Sequence, residues 1–328
     1  MTKITIAAVG DLLMKKKMIA SAAREGGFAP IFAKVKPYLR KPDLTIGNLE
    51  TTFSGSHFRE KPGKLLFSAP DKFAATIRNL GFDVLSTANN HCMDGKKSGL
   101  KRTLNVLDRH GLRHTGTYRT AREARRQLIV NVKGIKIGIL AYTKGTNGIP
   151  VPEPWSVNRL NRKKVIADVR SMKSKSDFII ACLHFGKEFR TSPDRNQIRF
   201  MQLLFHHGVN VVLGAHPHVL HPIRMFKVKD VDGQIRNRVA ASSLGNFVST
   251  ELPRHTARLR GTILRLTLVK NAKGITDVVE MSRVPTRILQ KIGKKGVYRV
   301  VAPCDLRHCS GVMPVRRLNA VAKCWLDA

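Results

Sequence analysis

The stretch VNVVLGAHPH, residues 209–218, joins a strand signal to a pair of potential metal ligands. Residues 209–213 are mostly β-branched or apolar, which is typical of a buried strand. The strand ends in a glycine-containing turn that carries His216 and His218. In open α/β folds, ligands bind outside the carboxyl ends of the strands. The stretch therefore predicts a strand whose carboxyl end presents two imidazoles to a ligand site.

Four other predicted strands also lead into a residue of a type that binds metal ions. The strands cover residues 4–9, 44–46, 84–87 and 178–183, and the residues that follow them are Asp11, Glu50, Asn90 and His184. Because parallel strands present their carboxyl ends along one edge, all these side chains are predicted to meet the two histidines in one cleft. Carboxylate, amide oxygen and imidazole are ligands for Mn, Fe or Zn. The sequence thus predicts a centre for two divalent metal ions that share a carboxylate.

Each of these residues has an ordinary structural explanation when it stands alone. Asp and Asn after a strand frequently cap a helix or occupy a turn. A single His is also more often a satisfied polar residue than a ligand. Five strand ends that all carry ligand-type residues are hard to explain as independent accidents, so the complete set supports the prediction.

Strand and helix patterns alternate along most of the chain. Apolar periodicity predicts helices that include residues 30–41, 161–173 and 196–207. Residues 128–142 read LIVNVKGIKIGILAY, in which a Lys-Gly pair separates two apolar runs and predicts a β-hairpin. Residues 221–284 are also hairpin-like. This mixture predicts an α/β fold in which helices cover two sheets.

The composition is that of a strongly basic globular protein. Hydrophobic residues make up 42% of the 328 residues, and no apolar run approaches the roughly 20 residues of a membrane span. Lys and Arg number 59 against 22 for Asp and Glu, which gives a formal charge of +37. Such a surface attracts polyanions. The alternative is a generally basic, solvated surface without a dedicated groove.

The cysteines and the N-terminal sequence indicate in which cellular compartment the protein is expected. Five cysteines are an odd number in a long chain, so reduced thiols are expected. The N-terminal sequence MTKITIAAVGDLLM has a short, interrupted apolar run that resembles a strand and not a signal peptide. These features predict a cytoplasmic location and leave association with the cell envelope open.

Six ordered motifs resemble those of the CapA family, the poly-γ-glutamate capsule-synthesis group of the calcineurin-like metallophosphoesterase superfamily. They are GD at 10–11, GNLE at 47–50, NNH at 89–91, HFGKE at 184–188, GAHPH at 214–218 and SLGNF at 243–247. The segment KGTNGIPVP at 144–152 also resembles this family, and the similarity runs through residues 3–270. The resemblance implies a four-layer α/β/β/α sandwich, the calcineurin-like metallophosphoesterase fold, with a metal site at one edge.

The resemblance also implies roles for individual residues. One metal ion would be bound by Asp11 and His218, the other by Asn90, His184 and His216, with Glu50 bridging them. His91 would be a general acid or transition-state stabiliser. Glu188 would be a polar catalytic residue of the same cleft, and Asn246 would line the cleft and contact the substrate. The basic charge of the chain separately suggests Arg190 as a substrate contact.

Two positions depart from the usual metallophosphoesterase pattern. That pattern begins with Asp-x-His, whereas the residue two after Asp11 is Leu13. The first metal ion would lose a ligand and be held more weakly. The bridging Asp of the superfamily is replaced by Glu50, whose longer side chain changes the geometry.

Three functions follow from these features. The first is metal-assisted hydrolysis or transfer at a phosphoester or amide bond of an anionic substrate. The second is a non-catalytic component of an assembly that makes or exports a polyanion such as poly-γ-glutamate. The third is a nuclease or nucleic-acid binder, although no nucleic-acid motif is recognisable and aromatic residues make up only 6%. Residues 1–284 are expected to form the main domain, and 285–328 an extension packed on it.

Overall fold

Two β-sheets form the centre of the protein in the computed structural model, which describes residues 1–58, 63, 65–250, 259–291, 296–302 and 313–314. The first sheet contains β1 (Thr2–Leu12), β2 (Leu44–Leu49), β3 (Val84–Ser86), β4 (Arg113–Thr115), β11 (Asn246–Val248), β12 (Arg260–Lys270), β13 (Thr276–Lys291), β14 (Val297–Val301) and β15 (Met313–Pro314). The second contains β5 (Leu128–Val132), β6 (Ile135–Thr143), β7 (Phe178–His184), β8 (Val211–Ala215), β9 (Ile223–Lys229) and β10 (Ile235–Ala241). The predicted α/β class with two sheets is confirmed.

Parallel strands lie together in each sheet, so several carboxyl ends share an edge. The first sheet has the order β14-β13-β12-β1-β2-β3-β4, in which β1, β2, β3 and β4 run parallel. β11 pairs with β1, and β15 with β13. The second sheet has the order β5-β6-β7-β8-β10-β9, and its four central strands run parallel. The predicted hairpin at 128–142 is the antiparallel pair β5 and β6.

Three clusters of buried apolar side chains form the core, and two of them join helices to a sheet. The helices are α1 (Lys16–Arg24), α2 (Ala29–Phe32), α3 (Lys36–Arg40), α4 (Lys72–Asn79), α5 (Lys96–Arg109), α6 (Ala121–Ala124), α7 (Arg162–Lys173) and α8 (Arg195–His206). One cluster joins α1–α5 to the first sheet, and another joins α7 and α8 to the second. The remaining cluster lies between the sheets, where Ile6 and Ile46 of the first sheet join Ile137 and Ile180 of the second. Burial on both faces explains why these strands read as continuous apolar runs.

The helix predicted at 30–41 is interrupted, and that prediction was wrong. The structure has two short helices, α2 and α3, separated by residues 33–35. Pro37 is the second residue of α3. A proline lacks the backbone N–H and its ring clashes with the preceding turn, so it is tolerated at a helix start but not inside one.

At the edge that carries the predicted ligands, the backbones at Gly10 and Gly245 lie very close together. A Cβ on Gly10 would lie 1.9 Å from the carbonyl oxygen of Gly245, so only glycine fits there. The Asp11 N–H donates to that carbonyl at 3.0 Å. Asp11 was expected just after its strand but lies inside β1, because β11 extends the pairing at Asp11.

The C-terminal residues that the structure describes belong to the first sheet. β13 runs through positions 284 and 285, where the sequence suggested a boundary, and pairs with β14. Tyr298 and Val300 of β14 are buried in the cluster that contains α1–α5. The two-part division of the chain stays a prediction. Among the described residues, no helix is both long and apolar enough to cross a membrane.

Candidate metal centre

Six ligand-type side chains from both sheets meet at the carboxyl edge of the strands. They are Asp11, Glu50, Asn90, His184, His216 and His218. Glu50 belongs to two sets of three, one with His184 and His216 and the other with Asp11 and His218. Within each set the ligand atoms lie within 4.8 Å of one another. This arrangement offers two adjacent metal positions that share one carboxylate, and the roles of the six residues stay a prediction.

Glu50 is the residue that the two sets share. It follows β2 directly and is fully buried, and among the residues that the structure describes neither carboxylate oxygen has a hydrogen-bond partner. Its Oε1 lies 3.5 Å from His184 Nε2 and 3.8 Å from His218 Nε2. Burial, and then the charge of Asp11, raise the pKa of Glu50 well above its usual range. A buried carboxylate without partners is costly, and cations on either side would satisfy it, so the residues fit two metal ions.

Asp11 is held by partners on several sides. It is fully buried, and its Oδ1 accepts a hydrogen bond from Asn48 Nδ2 at 2.8 Å. Its Oδ2 lies 3.2 Å from His218 Nδ1 and accepts from the His216 N–H at 3.4 Å. The carboxylate is therefore oriented before any metal ion binds.

The two histidines of the turn after β8 have unusual backbone conformations. His216 has φ of 98° and His218 has φ of 59°, in the left-handed region that side chains other than glycine rarely adopt. Each such residue costs about 1–3 kcal/mol and usually marks a functional site. Asn246 supports His218, since its Oδ1 lies 3.1 Å from His218 Nδ1. Asn246 is thus buried against a ligand-type residue, and its predicted contact with substrate stays a prediction.

His184 has the protonation state that metal binding requires. Burial lowers its pKa well below the usual value, and the neighbouring His216 and His218 lower it further. Neutral imidazole is the form that coordinates a metal ion. His184 Nε2 lies 2.7 Å from Asn90 Oδ1, while its Nδ1 lies 3.3 Å from Asn48 Nδ2.

A residue of the segment at 144–152 orients the side chain of Asn90. Its Nδ2 donates to Asn147 Oδ1 at 3.2 Å, which leaves Asn90 Oδ1 facing His184. Asn147 has a positive φ of 50°, a conformation that Asn adopts more readily than most residues. The amide oxygen of Asn90 is thereby directed toward the predicted metal position.

His91 lies beside the six residues and is paired with a buried carboxylate. Its Nδ1 is 2.8 Å from Asp94 Oδ2, which also accepts the Phe67 N–H at 2.7 Å. The Phe67 and His91 rings pack with their centroids 4.4 Å apart. Burial raises the pKa of Asp94. With Nδ1 turned toward Asp94, Nε2 is the ring nitrogen of His91 that remains for another partner.

Glu188 and Arg190 lie on the exposed loop between β7 and α8. Burial is the main cause of the pKa shifts of Glu50, which is raised, and His216, which is lowered, and the negative charge of Glu188 is close enough to act on both groups. The carbonyl oxygen of Arg190 accepts a hydrogen bond from His221 Nε2 at 2.8 Å, and its side chain lines a cavity of about 600 Å³. Both lie next to the centre and outside the two ligand sets, and their predicted roles stay predictions.

Three residues of the site were missed by sequence reasoning. They are Asn48, Asp94 and Asn147, each of which holds one of the site residues by a hydrogen bond. Asn48 lies within the GNLE motif, and Asp94 follows His91 at a spacing of three, so both offered a weak signal. Asn147 lies within the segment 144–152 that resembles the family, but nothing in that segment singled it out as a partner of Asn90.

Asn48 connects Asp11 of the first sheet to His184 of the second. If both are ligands as predicted, we expect Asn48→Ala to weaken metal binding by about 10–100-fold, the usual loss when a partner of a ligand is removed. Titration of metal-free protein with Mn or Zn measures this. Asn210→Ala is the matched control, because Asn210 is similarly buried and its side-chain oxygen accepts a backbone hydrogen bond, from the Ile179 N–H at 2.8 Å. Equal metal affinity in the two variants would contradict the positioning role.

Comparison with known proteins gives a family match and distant relatives. The family model described as "Bacterial capsule synthesis protein PGA_cap" matches residues 5–251. The capsule biosynthesis protein CapA of Bacillus anthracis is 24% identical over 309 residues, which are 90% of this chain and 72% of that protein. The PGA biosynthesis protein CapA of Bacillus subtilis is 25% identical over 252 residues, 73% of this chain and 62% of that protein. The chain therefore spans only part of the length of both relatives.

Solved structures give weaker likenesses. A 5'-nucleotidase precursor from Thermus thermophilus has a TM-score of 0.48 and 14% identity, covering 92% of this chain and 55% of that chain. A hypothetical protein from the same organism has a TM-score of 0.47 and 15% identity, covering 86% and 98%. At TM-scores this low, neither likeness supports an argument about activity.

Proposed function

The chain belongs to the bacterial capsule synthesis protein family PGA_cap, and on that premise we propose that it is a metal-dependent hydrolase or transferase that acts on a phosphoester or amide bond of an anionic substrate. The observation that carries the proposal is the pair of ligand sets sharing the buried, unpartnered Glu50. A site that had lost its function would be expected to have lost most of its ligands, whereas this chain has six ligand-type residues and departs from the superfamily pattern by one missing ligand, at Leu13. Two divalent ions bound there would activate water and stabilise the charge that develops on the reacting group.

The residues of the chain have separate tasks in this proposal. Asp11 and His218 would hold one ion, Asn90, His184 and His216 would hold the other, and Glu50 would be a ligand common to both. Burial of the carboxylates excludes water from the inner side of the centre. The low dielectric there strengthens each interaction with the charge of the transition state.

His91 is the proposed proton donor. Asp94 accepts the hydrogen of Nδ1 and fixes the ring orientation, so a protonated His91 presents Nε2–H to the leaving group. Transfer of this proton neutralises the departing oxygen or nitrogen as its bond breaks. Asp94 stabilises the imidazolium and is not itself a proton donor in this scheme.

A direct test combines metal analysis with turnover. Purified protein is analysed for Mn, Fe and Zn, then assayed with p-nitrophenyl phosphate, bis-p-nitrophenyl phosphate and γ-glutamyl p-nitroanilide before and after chelation. Turnover of any of these that requires metal supports the proposal. Protein that binds no metal and turns over none of them, but binds oligoglutamate, would instead support the non-catalytic polyanion-binding alternative.

We predict that the two metal positions differ in affinity. Leu13 is buried, and its N–H donates to the Val248 carbonyl at 2.9 Å, so it supplies no ligand to the position of Asp11 and His218. His184→Ala should therefore release most of the bound metal, and Asp11→Ala less, as measured by elemental analysis. The exposed His206 provides the control His206→Ala. Equal release from His184→Ala and Asp11→Ala would contradict unequal positions.

A further inference from the structure

Lys15 lies in the loop that joins β1 to α1, four residues after Asp11. Its backbone is extended, with φ of −107° and ψ of 161°, and its carbonyl oxygen accepts the Met18 N–H at 2.9 Å. Met14 and Met18, on either side of it, are buried in the core of the first sheet. The point from which the half-buried lysine side chain extends is therefore fixed by the fold.

The Phe67 ring connects the Lys15 ammonium to the proposed proton donor. Lys15 Nζ lies over this ring, 5.7 Å from its centroid, where the electrons of the ring attract a cation. The same ring packs on His91 with centroids 4.4 Å apart, and the Phe67 N–H donates to Asp94 at 2.7 Å. Phe67 therefore contacts both the cation and the imidazole, and its backbone is bonded to the partner of that imidazole.

The charge of Lys15 also acts on the carboxylate that the two ligand sets share. Burial, and then the charge of Asp11, raise the pKa of Glu50, and the charge of Lys15 opposes them. The interaction between two charges falls off with distance, so the ammonium lies on the Glu50 side of the rim. Lys15 is thus close both to the shared ligand and to His91, and the reacting group of a substrate would bind between these two.

A permanent cation at that place favours a reacting group with additional negative charge. A phosphomonoester is dianionic above its second pKa of about 6. A phosphodiester has one of those ionised oxygens esterified, and an amide carries no charge. The lysine ammonium is a compact point charge of the kind that binds phosphate oxygens.

We propose that Lys15 is a specificity-determining residue that contacts an ionised oxygen of the reacting group and selects phosphomonoesters over phosphodiesters and amides. This inference rests on the proposed function. The ester P–O bond breaks, water supplies the new oxygen of phosphate, and the leaving oxygen takes its proton from His91. The proton that the water releases replaces the one that His91 gives up. Lys15 keeps its proton throughout, and Phe67 is a positioning residue for Lys15.

The first test compares two substrates that release the same p-nitrophenol. Lys15→Met should lower kcat/KM for p-nitrophenyl phosphate by about 10²-fold, as does loss of one donor to a transition-state oxyanion. The value for bis-p-nitrophenyl phosphate should fall less than about fivefold, the most that a screened charge contributes. Lys17→Met is the control, because Lys17 is an exposed lysine in the first turn of α1. Metal content should be normal in both variants.

Phe67 variants test how Lys15 is positioned. Because both substrates have the same leaving group, a change that acts only through His91 or through general packing alters their rates equally. Phe67→Leu should therefore lower the ratio of monoester to diester turnover. Phe67→Tyr retains the aromatic face and should restore the ratio, and Lys15→Arg retains the charge and should preserve most of it.

Calorimetry provides a measurement that does not depend on turnover. The probes are inorganic phosphate and dimethyl phosphate, titrated at fixed ionic strength well above the second pKa of phosphate. Lys15→Met should weaken phosphate binding about tenfold, the loss typical of a hydrogen bond between charged groups. Dimethyl phosphate binding should be nearly unchanged, and Lys17→Met should alter neither.

Several results would overturn the role of Lys15. They are equal effects of Lys15→Met on the monoester and the diester, equal effects of Lys15→Met and Lys17→Met, loss of metal from Lys15→Met, and phosphate binding that is absent or independent of Lys15. Any of these with metal-dependent turnover in the wild type would contradict the role of Lys15 alone. Phosphate binding that depends on Lys15, in protein that turns over no substrate, would contradict the hydrolase proposal and retain the contact with phosphate.

Discussion

Glu50→Gln is expected to release metal from both positions and to lower turnover by about 10³-fold or more. Glu50 is the residue common to the two ligand sets, so its loss removes a ligand from each. Metal ions contribute several kcal/mol of transition-state stabilisation, which corresponds to a loss of this size. Elemental analysis and the turnover assays measure the result. The exposed Glu280 provides the control Glu280→Gln, which should retain both metal and turnover.

The same substitution is expected to stabilise the metal-free protein. The pKa of Glu50 is raised on folding, so the folded state takes up a proton that the unfolded state releases. Protonated Glu50 therefore favours the folded state at low pH, and this advantage disappears as the pH rises through the raised pKa of Glu50. Gln is neutral at every pH, so the variant does not lose stability in this way. At pH values above the usual pKa range of Glu, Glu50→Gln should raise the free energy of unfolding of the metal-free protein by about 1–3 kcal/mol, the cost of a buried unsatisfied group.

Urea unfolding in chelator across a pH series tests this second effect. Wild-type protein should lose stability relative to Glu50→Gln as the pH rises, and added metal should restore stability only to the wild type. Metal retention by Glu50→Gln with normal turnover would refute the shared-ligand role. A variant that is less stable than wild type without metal at every pH would show that the carboxylate has a structural partner.

His91→Ala should lower turnover by about 10²–10⁴-fold, the usual contribution of general acid–base catalysis. Bound metal should be unaffected, because His91 contacts Asp94 and packs on Phe67, and lies outside both ligand sets. Asp94→Asn should retain part of the activity, since it removes the carboxylate that orients the ring but leaves His91 in place. The measurements are the rate at saturating substrate and the metal content of each variant.

A second histidine–aspartate pair supplies the control for His91. His114 Nε2 lies 3.0 Å from Asp108 Oδ1, and the His114 side chain is as little exposed as that of His91. His114→Ala should therefore show how far turnover falls when a buried imidazole is removed while the proton donor His91 is retained. Release of metal from His91→Ala would make His91 a ligand and contradict its role as donor.

The chain itself determined the alternation of elements and the residue types at the strand ends. β-Branched runs form strands because such side chains fit the pleated, buried surface, and His184 and His216 end or follow those runs as the sequence indicated. Parallel pairing then places the ends on one edge. The alternation of elements and the residue types at the strand ends are both encoded in short stretches of consecutive residues. For this reason the six ligand-type residues could be identified from the sequence.

Only the tertiary structure decided which residues orient the six ligand-type side chains by hydrogen bonds. Asn48 lies 136 positions from His184, and Asn90 lies 57 from Asn147, so neither hydrogen bond is visible in any local pattern. Hydrogen bonds and burial depend on distances that arise when the two sheets pack together. Burial in turn sets the charge states, raising the pKa of Glu50 and lowering that of His184, and so decides whether the named residues can act as ligands.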